Sequence, residues 1–211
     1  MMSHSVSRER VAGLILAGGR SRRMGGGDKC LLPLAGRPVL ERIVERARAQ
    51  VGPLVLNANG DPARFAAFGL PVVADAVPDY AGPLAGVLTG MEWAQAHAPD
   101  SPWLATFAAD APFLPDDFVE LMLEAVHGTV ADMAVAASGG RDHPVFGLWP
   151  VRLAADLRHA LERDGVRKVD MWTDRYRLAR ADWPDVPIDP FFNLNTPEDF
   201  ARAEALIAAR A

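Results

Sequence analysis

The chain has 211 residues, of which half are hydrophobic and 23% are charged, and its formal net charge is -5 at pH 7. A chain of this length and composition forms one sizeable globular domain with a single core. The acidic balance argues against broad binding of nucleic acid, although a local basic loop can still hold a nucleotide.

Cysteine content and the N-terminus bear on compartment and targeting. Cys30 is the only cysteine, so no intrachain disulfide or multi-cysteine metal site can form, as is usual in a reducing cytosol. Residues 1–10 lack the apolar segment of a signal peptide, and no stretch approaches the ~20 apolar residues of a membrane span. We expect a cytoplasmic protein without a membrane segment, with one domain over residues 1–211 and a disordered extension at residues 1–10.

The first predicted element is a buried strand over residues 11–17, which breaks abruptly into a loop. Residues 18–29 contain five glycines, three arginines and one lysine. Glycine lets a ligand approach backbone N–H groups, and Arg and Lys supply the donors and the charge that phosphates need. A buried strand that leads into such a loop predicts a phosphate site at the carboxyl edge of an α/β sheet.

Two common phosphate motifs do not fit this loop. A P-loop requires Gly-Lys-Ser/Thr, but Lys29 follows Asp28 and precedes Cys30. The dinucleotide fingerprint requires a third glycine at the position of Cys30. The loop therefore belongs to neither class, and a flexible surface loop with solvated arginines remains the alternative.

A helix and a second strand follow. Residues 38–50 carry apolar side chains at helical spacing, with Pro38 at a first helical position. Residues 53–58 form an apolar strand that ends in polar residues. The Asn57 amide either binds a base or ribose or forms a turn with Gly60, and the residues alone favour the turn.

The next strand, residues 70–74, follows a short helix and ends at Asp75. Its carboxylate can accept from the N1 and N2 donors of guanine, but capping of a helix or turn is the commoner role. Gly82 and Gly86 then flank the start of a helix that runs to about residue 97. Their backbone either presents N–H groups to an anion or permits close packing of the helix.

A strand over residues 102–108 is apolar throughout, which predicts a position in the middle of the sheet, and Asp110 follows it. Mg²⁺ usually takes one or two carboxylates together with phosphate oxygens, so Asp110 is a candidate metal ligand. The alternative role of an N-cap is predicted for Asp116, at the start of a helix over residues 116–127. We expect Lys29 and Asp110 to face each other across a space for a metal-bound polyphosphate.

The rest of the chain predicts a pair of strands, two helices, an edge strand and a final helix. The predicted spans are residues 132–137, 143–149, 151–161, 164–172, 175–180 and 196–209. Thr196 and Asp199 form a capping pattern for the last helix, which leaves Asn193 and Asn195 without a structural explanation. The alternation of strands and helices predicts a three-layer α/β/α sandwich with a Rossmann-like, mainly parallel sheet.

Several motifs resemble those of nucleotidyltransferases of the molybdenum cofactor guanylyltransferase (MobA) type. They are LAGG at 16–19, Ser21, RRMG at 22–25, DK at 28–29, GPLAG at 82–86, ADAP at 109–112, RDHP at 141–144 and NLNTPE at 193–198. The resemblance implies the fold of those nucleotidyltransferases and the transfer of GMP from GTP to Mo-molybdopterin, which releases pyrophosphate. It also implies Mg²⁺ as the cofactor.

The resemblance implies roles for individual residues as well. The implied nucleotide contacts are Leu16, Ala17, Gly18, Gly19, Lys29, Asn57, Asp75 and Asp110. Lys29 and Arg23 would offset phosphate charge, and Asp110 would hold Mg²⁺. Weaker candidates for the acceptor side are Gly82, Arg141, His143, Arg167, Lys168, Asn193 and Asn195. For the basic residues of this set, structural hydrogen bonds or a solvated surface remain the alternatives.

Two kinds of alternative function stay open. The same fold could serve a cytidylyltransferase acting on the same pterin or a sugar-phosphate nucleotidyltransferase, although Gly18-Gly19 favours GTP. A non-catalytic carrier of the nucleotide or pterin is the alternative of another class, and the joint presence of Arg23, Lys29 and Asp110 argues against it. The resemblance also implies transient contacts with molybdenum cofactor biosynthesis proteins and molybdoenzyme chaperones.

Overall fold

The central feature of the computed structural model, which describes residues 8–18, 28–77 and 82–209, is a sheet of seven strands. The strands of the described chain are β1 Val11–Leu16, β2 Pro33–Leu34, β3 Arg37–Pro38, β4 Leu54–Asn57, β5 Val72–Val73, β6 Trp103–Ala108, β7 Met133–Ser138, β8 Arg141–Pro150 and β9 Leu178–Trp183. The large sheet has the order β5-β4-β1-β6-β8-β7-β9, and β2 pairs with β3 separately. Only β8 runs antiparallel to its neighbours in the large sheet. The mainly parallel sheet and the central position of β6 are confirmed.

Helices cover both faces of this sheet. They are α1 Val39–Arg48, α2 Pro83–His97, α3 Phe118–Thr129, α4 Ala154–Glu162, α5 Val169–Thr173 and α6 Pro197–Ala208, with short 3-10 helices at Arg8–Arg10, Lys29–Leu31, Pro62–Phe68 and Val151–Leu153. One hydrophobic cluster contains buried residues of α1, α3 and α6, and the other contains those of α2, α4 and α5. The predicted three-layer sandwich is therefore confirmed. No helix in these ranges has the length and apolar character needed to cross a membrane.

Strand β1 shows why an apolar run predicts a central strand. Ile15 packs into the cluster on one face and Leu14 into the cluster on the other, and both side chains are fully buried. Successive side chains of a strand point to opposite faces, so a strand covered on both sides needs apolar residues at every position. Strand β9 lies at the edge of the sheet, as predicted, although it starts and ends later than expected.

Three predicted boundaries are wrong. Pro38 pairs with Pro33 in the small β2-β3 hairpin, so it precedes α1 instead of opening it. The hairpin fixes the extended backbone of Pro38, which the local helix pattern does not reveal. The predicted end of the N-terminal extension at residue 10 is also wrong, because Arg8–Arg10 form a 3-10 helix; residues 1–7 lie outside the described residues.

The third wrong boundary is the start of α3. This helix begins at Phe118, with Asp117 at the N-cap position, and the side chain of Asp116 does not cap it. Asp116 instead forms an ion pair with Arg46 of α1. The Asp117 carboxylate accepts a hydrogen bond of 3.0 Å from Trp183 Nε1. Tertiary partners thus use both carboxylates that local capping rules would assign to the helix.

Hydrogen bonds between the segments that follow the strands bring the predicted site residues together. Ala17 N donates to Asn57 O at 2.9 Å, and Ala109 N donates to Leu16 O at 3.1 Å. The ladders of β1 with β4 and β6 therefore continue beyond the strand ends. As a result, the segments that follow β1, β4 and β6 lie side by side at one edge of the sheet.

Candidate functional site

A cleft of about 330 Å³ lies at the carboxyl ends of β1, β4 and β6, against the start of α2. The predicted site residues that line it are Leu16, Ala17, Gly18, Lys29, Asn57, Asp75, Gly82, Asp110 and Asn193. This is the edge at which open α/β sheets bind their ligands. Two further predicted residues, Gly19 and Arg23, lie outside the described residues.

Lys29 provides the positive charge of the cleft among the described lining residues. Its Nζ donates to Asp110 Oδ2 and to Asn195 Oδ1, each at 2.8 Å. The structure therefore brings together the two side chains that the sequence predicts to be partners. The expected space between them is absent, because the opposite charges meet in a direct ion pair whose side chains are 17% and 26% exposed.

The Asn195 side chain is placed by the start of α6. Leu194 N donates to Asp110 O at 2.9 Å, which fastens this segment to the end of β6. The Asp199 carboxylate accepts from the backbone N–H groups of Asn195 and Thr196, each at 2.8 Å, and the predicted capping box is confirmed. The cap thus has a second effect, because it also orients Asn195 toward Lys29.

The donor set beside Lys29 suits a hard divalent cation. Asp110 offers a half-buried carboxylate, and Asn195 offers an amide oxygen that accepts a hydrogen bond from the same Lys29 ammonium. Magnesium prefers oxygen ligands and takes few of them from the protein when phosphates supply the rest. No group of three or more His, Cys, Asp or Glu side chains in the described part of the chain could hold a metal alone. A cation here would therefore need oxygens from a bound ligand.

The other end of the cleft holds a network of amides around Asp75. Asn57 Nδ2 donates to Asp75 Oδ1 at 3.0 Å, and Asn59 Nδ2 donates to Asp75 Oδ2 at 2.7 Å. Asn57 is 2% exposed, and its amide is not used in a turn with Gly60, so the preference for a turn is wrong. Each oxygen of the Asp75 carboxylate retains acceptor capacity, since an ionised carboxylate has about four lone-pair sites.

Gly86 of α2 lies directly over Leu16 and Asn57. A Cβ added at Gly86 would stand 2.3 Å from Leu16 Cδ2 and 2.6 Å from Asn57 Oδ1. Real side chains do not approach this closely, so only glycine lets the helix pack against the two strand ends. Of the two roles left open for Gly86, the structure supports close packing.

The Gly86→Ala substitution is expected to destabilise the fold by about 1–3 kcal/mol, because the methyl group overpacks the contact between α2 and the strand ends. It should also weaken the binding of a ligand in the cleft, since the strain is relieved by moving Leu16 or Asn57, which line it. Urea unfolding and a binding titration measure the two effects. Gly128→Ala is the matched control, because an added Cβ there has no neighbour within 4 Å. Equal stability of the two variants would contradict the packing role.

Gly82 occupies the N-cap position of α2 with a φ of 146°, which disfavours any other residue. A Cβ at this position would stand 3.2 Å from Arg167 O. The segment that contains Arg167 and Lys168 therefore borders the cleft next to Gly82. Neither of these two side chains lines the cleft itself.

The predicted acceptor-side residues Arg141 and His143 do not line the cleft. His143 is 8% exposed, and its Nε2 lies 2.7 Å from Ser138 Oγ, which donates to Asp189 Oδ1 at 2.9 Å. Burial lowers the pKa of His143 and outweighs the opposing charge of Asp189, so the imidazole is mostly neutral at pH 7. The structural role left open for His143 is the one found.

The sequence interpretation missed two features of the cleft and its surroundings. Asp28 forms an ion pair with Arg64, a residue that no motif identified. Cys30 lines the cleft but is 4% exposed, and its burial, followed by the charges of Asp28 and Asp110, raises its pKa to about 12. The thiol is therefore neutral and packs as a small apolar group.

Comparison with known proteins identifies what the chain is similar to. The family model described as "MobA-like NTP transferase domain" matches residues 13–177. A protein of Bradyrhizobium sp. (strain ORS 278), named molybdenum cofactor guanylyltransferase, is 57% identical over 198 residues, which cover 94% of this chain and 93% of that protein.

Solved structures share the fold at much lower identity. The molybdopterin-guanine dinucleotide biosynthesis protein A from Archaeoglobus fulgidus has a TM-score of 0.73 at 20% identity, with coverage of 94% of this chain and 99% of that chain. Rv0371C from Mycobacterium tuberculosis, solved in complex with manganese, has a TM-score of 0.65 at 19% identity, with coverage of 92% and 98%. These likenesses concern the fold.

Proposed function

The chain belongs to the family of MobA-like NTP transferase domains, and from this premise we infer that it is a guanylyltransferase of molybdenum cofactor biosynthesis. It transfers GMP from GTP to molybdopterin and releases pyrophosphate. A phosphate oxygen of the pterin forms a bond to the α-phosphorus of GTP while the bond from that phosphorus to the pyrophosphate breaks. The attacking phosphate is already an anion, so the reaction needs no general base.

The observation that carries this function is the contact of Lys29 Nζ with Asp110 Oδ2 at 2.8 Å, at the carboxyl edge of the central strands. Phosphoryl transfer depends mainly on positioning and on compensation of charge. An ammonium and a carboxylate at the same place supply the two groups that a polyphosphate with its cation requires. Lys29 can exchange the carboxylate for a phosphate oxygen, because the pair is accessible from the cleft.

We assign the metal role to Asp110 and propose Mg²⁺ as the cation. The oxygen donors of Asp110 and Asn195 suit Mg²⁺, and a relative of the same fold was solved with manganese. A divalent cation bound here would offset charge on the phosphates during transfer. Lys29 would contribute the remaining positive charge, and Arg23 is proposed to assist it.

The base side of the cleft supports guanine over cytosine. Guanine presents two neighbouring donors, N1–H and the N2 amine, and the Asp75 carboxylate has free acceptor sites on two oxygens. Asn57 and Asn59 hold that carboxylate in the lining of the cleft. Cytosine offers one amine and no adjacent N–H, so it cannot pair with a carboxylate in this way. Leu16, Ala17 and Gly18 are proposed to contact the guanine and ribose.

A panel of nucleotides tests this assignment. With molybdopterin present, GTP is expected to support pyrophosphate release, and CTP, ATP and UTP to support it at least about a hundredfold less, since unpaired polar groups strongly penalise a wrong base. Steady-state release of pyrophosphate is the measurement. Equal rates with CTP would favour the cytidylyltransferase alternative. Tight binding of GTP without any release of pyrophosphate would favour a non-catalytic carrier.

The acceptor side is proposed from position alone. Gly82, Asn193 and the neighbouring segment at Arg167 and Lys168 border the same cleft as Lys29, so they are the candidates for contact with the pterin phosphate. We further propose that the chain works in the cytoplasm. There it would meet other proteins of molybdenum cofactor biosynthesis and the chaperones of molybdoenzymes in transient contacts.

A further inference from the structure

Arg64 lies in the 3-10 helix Pro62–Phe68 and does not line the cleft, but its guanidinium contacts segments on two sides of it. Its Nε lies in ion-pair contact with the Asp28 carboxylate, without the geometry of a hydrogen bond. Its Nη2 donates to Asn59 O at 2.6 Å, and its Nη1 donates to Asp61 O at 2.8 Å. We propose that Arg64 is a positioning residue that couples the phosphate side of the cleft to the base side.

The contact with Asp28 acts on the phosphate side. Asp28 is the N-cap residue of the 3-10 helix that begins at Lys29, and Leu31 N donates to Asp28 O at 2.9 Å. An ion pair that fixes Asp28 therefore fixes the backbone from which the Lys29 side chain extends. The Arg64 and Asp28 side chains are 28% and 23% exposed, so water screens this pair less than a pair on the open surface.

The contact with Asn59 acts on the base side. The Asn59 side chain holds Asp75 at two points, because its Oδ1 accepts from Asp75 N at 3.0 Å and its Nδ2 donates to Asp75 Oδ2 at 2.7 Å. Arg64 in turn holds the Asn59 backbone. A continuous chain of polar contacts therefore runs from Asp28 through Arg64 and Asn59 to Asp75.

The surroundings of the guanidinium show that the position requires arginine. The Phe65 ring lies 4.6 Å from Arg64 Cζ, and Gly60, at a φ of 87°, leaves room for Nη1, since an added Cβ would stand 3.0 Å from it. Arginine presents a rigid fork of donors, whereas the lysine ammonium is a single point charge on a flexible stem. A lysine could reach Asp28 or the Asn59 carbonyl, but it could not hold both in fixed geometry.

This inference rests on the proposed function, and its test compares GTP with ITP. Inosine lacks the N2 amine of guanine, so the ratio of kcat/KM for GTP to that for ITP reports how well Asp75 is placed. The turnover with GTP reports how well Lys29 is placed. The variants are Arg64→Ala and Arg64→Lys. The matched control is Arg48→Ala, because Arg48 donates to Phe68 O and Gly69 O at the far end of the same 3-10 helix.

Arg64→Ala is expected to lower kcat by on the order of tenfold to a hundredfold, as loss of a supporting residue does, and to remove most of the preference for GTP over ITP. Arg64→Lys should restore either kcat with GTP or the preference for GTP over ITP, but not both. Arg48→Ala should change neither kcat nor this preference, although its loss of thermal stability should be comparable to that of Arg64→Ala. Unchanged kcat and unchanged preference in Arg64→Ala would overturn the coupling, and so would equal changes in Arg48→Ala.

Equilibrium binding separates this inference from the proposed function. A wild-type protein that binds GTP more tightly than ITP but releases no pyrophosphate would reject the transfer reaction. In that case the same variants can be compared by their affinities for GTP and ITP. Loss of the affinity difference in Arg64→Ala, but not in Arg48→Ala, would still support the coupling. A wild-type protein without preference between GTP and ITP would overturn it.

Discussion

Replacing Asp110 by asparagine is expected to lower the rate of GMP transfer by about a hundredfold to a thousandfold, the effect of removing one preorganised electrostatic group from a transfer site. The amide keeps the size of the side chain but removes the negative charge. It would bind a divalent cation weakly and would no longer form an ion pair with Lys29, whose Nζ now lies 2.8 Å from Oδ2. The concentration of Mg²⁺ needed for half-maximal activity should rise.

Titration of activity with Mg²⁺ at saturating GTP measures this effect, and Asp116→Asn is the matched control. Asp116 is also a carboxylate of the segment between β6 and α3, but its side chain is 83% exposed and pairs with Arg46 outside the cleft. Asp116→Asn should leave both the rate and the metal dependence unchanged. An unaltered Mg²⁺ requirement in Asp110→Asn would reject the assignment of Asp110 as a metal ligand.

The position of Asp110 could be predicted because it depends on simple rules. The run before it is apolar at every position, which requires a strand covered on both faces, and polar residues that follow parallel strands meet at one edge. The same rule places Asn57 and Asp75 at this edge of the sheet, although the residues alone favour a turn for Asn57 and a cap for Asp75. Local rules failed where tertiary contacts decide. Asn57 has a turn sequence after it, but its side chain is buried under Gly86 of a helix that follows later in the chain.

His143 shows a second reason why sequence patterns fall short. The pairing of β7 with β8 shifts between Val135 and Ala136, so that Val135 faces Gly147 while Ala136 faces His143. A bulge of this kind changes which side chains point to a given face, and alternation in the sequence does not reveal it. His143 therefore contacts Ser138, which in turn donates to Asp189, inside the protein, and it does not line the cleft.

Arg64 could not be found from the sequence for a related reason. The residue has no motif around it, and its partner Asp28 belongs to a loop that is distant in sequence. Only the fold brings the two together, because the segments that contain them follow the neighbouring strands β1 and β4. Residues that orient other site residues without touching the ligand are hard to recognise in a single sequence, whereas residues that touch the ligand often lie in recognisable motifs.

The Lys29→Ala substitution is expected to lower kcat for GMP transfer by about a hundredfold or more, because the charge that develops on the phosphates loses its nearest ammonium. Stability should change little, by about 1 kcal/mol, since the pair with Asp110 is accessible to water. Measurement of kcat and of the unfolding midpoint separates the two effects. Arg180→Ala is the control for loss of an ion pair, because Arg180 contacts Asp142 at the same distance, 2.8 Å, outside the cleft.

The Lys29→Arg variant tests whether the size and shape of the cationic group matter in addition to its charge. Arginine keeps the positive charge but spreads it over a wider planar group, and in the structure the Lys29 ammonium fits between Asp110 and Asn195 at 2.8 Å from each. If charge alone matters, Lys29→Arg retains most of the activity. If transfer requires a compact donor between these two oxygens, kcat falls by about tenfold while affinity for GTP is kept. Full activity in Lys29→Ala would exclude both cases, and compensation of phosphate charge would then have to come from another cation.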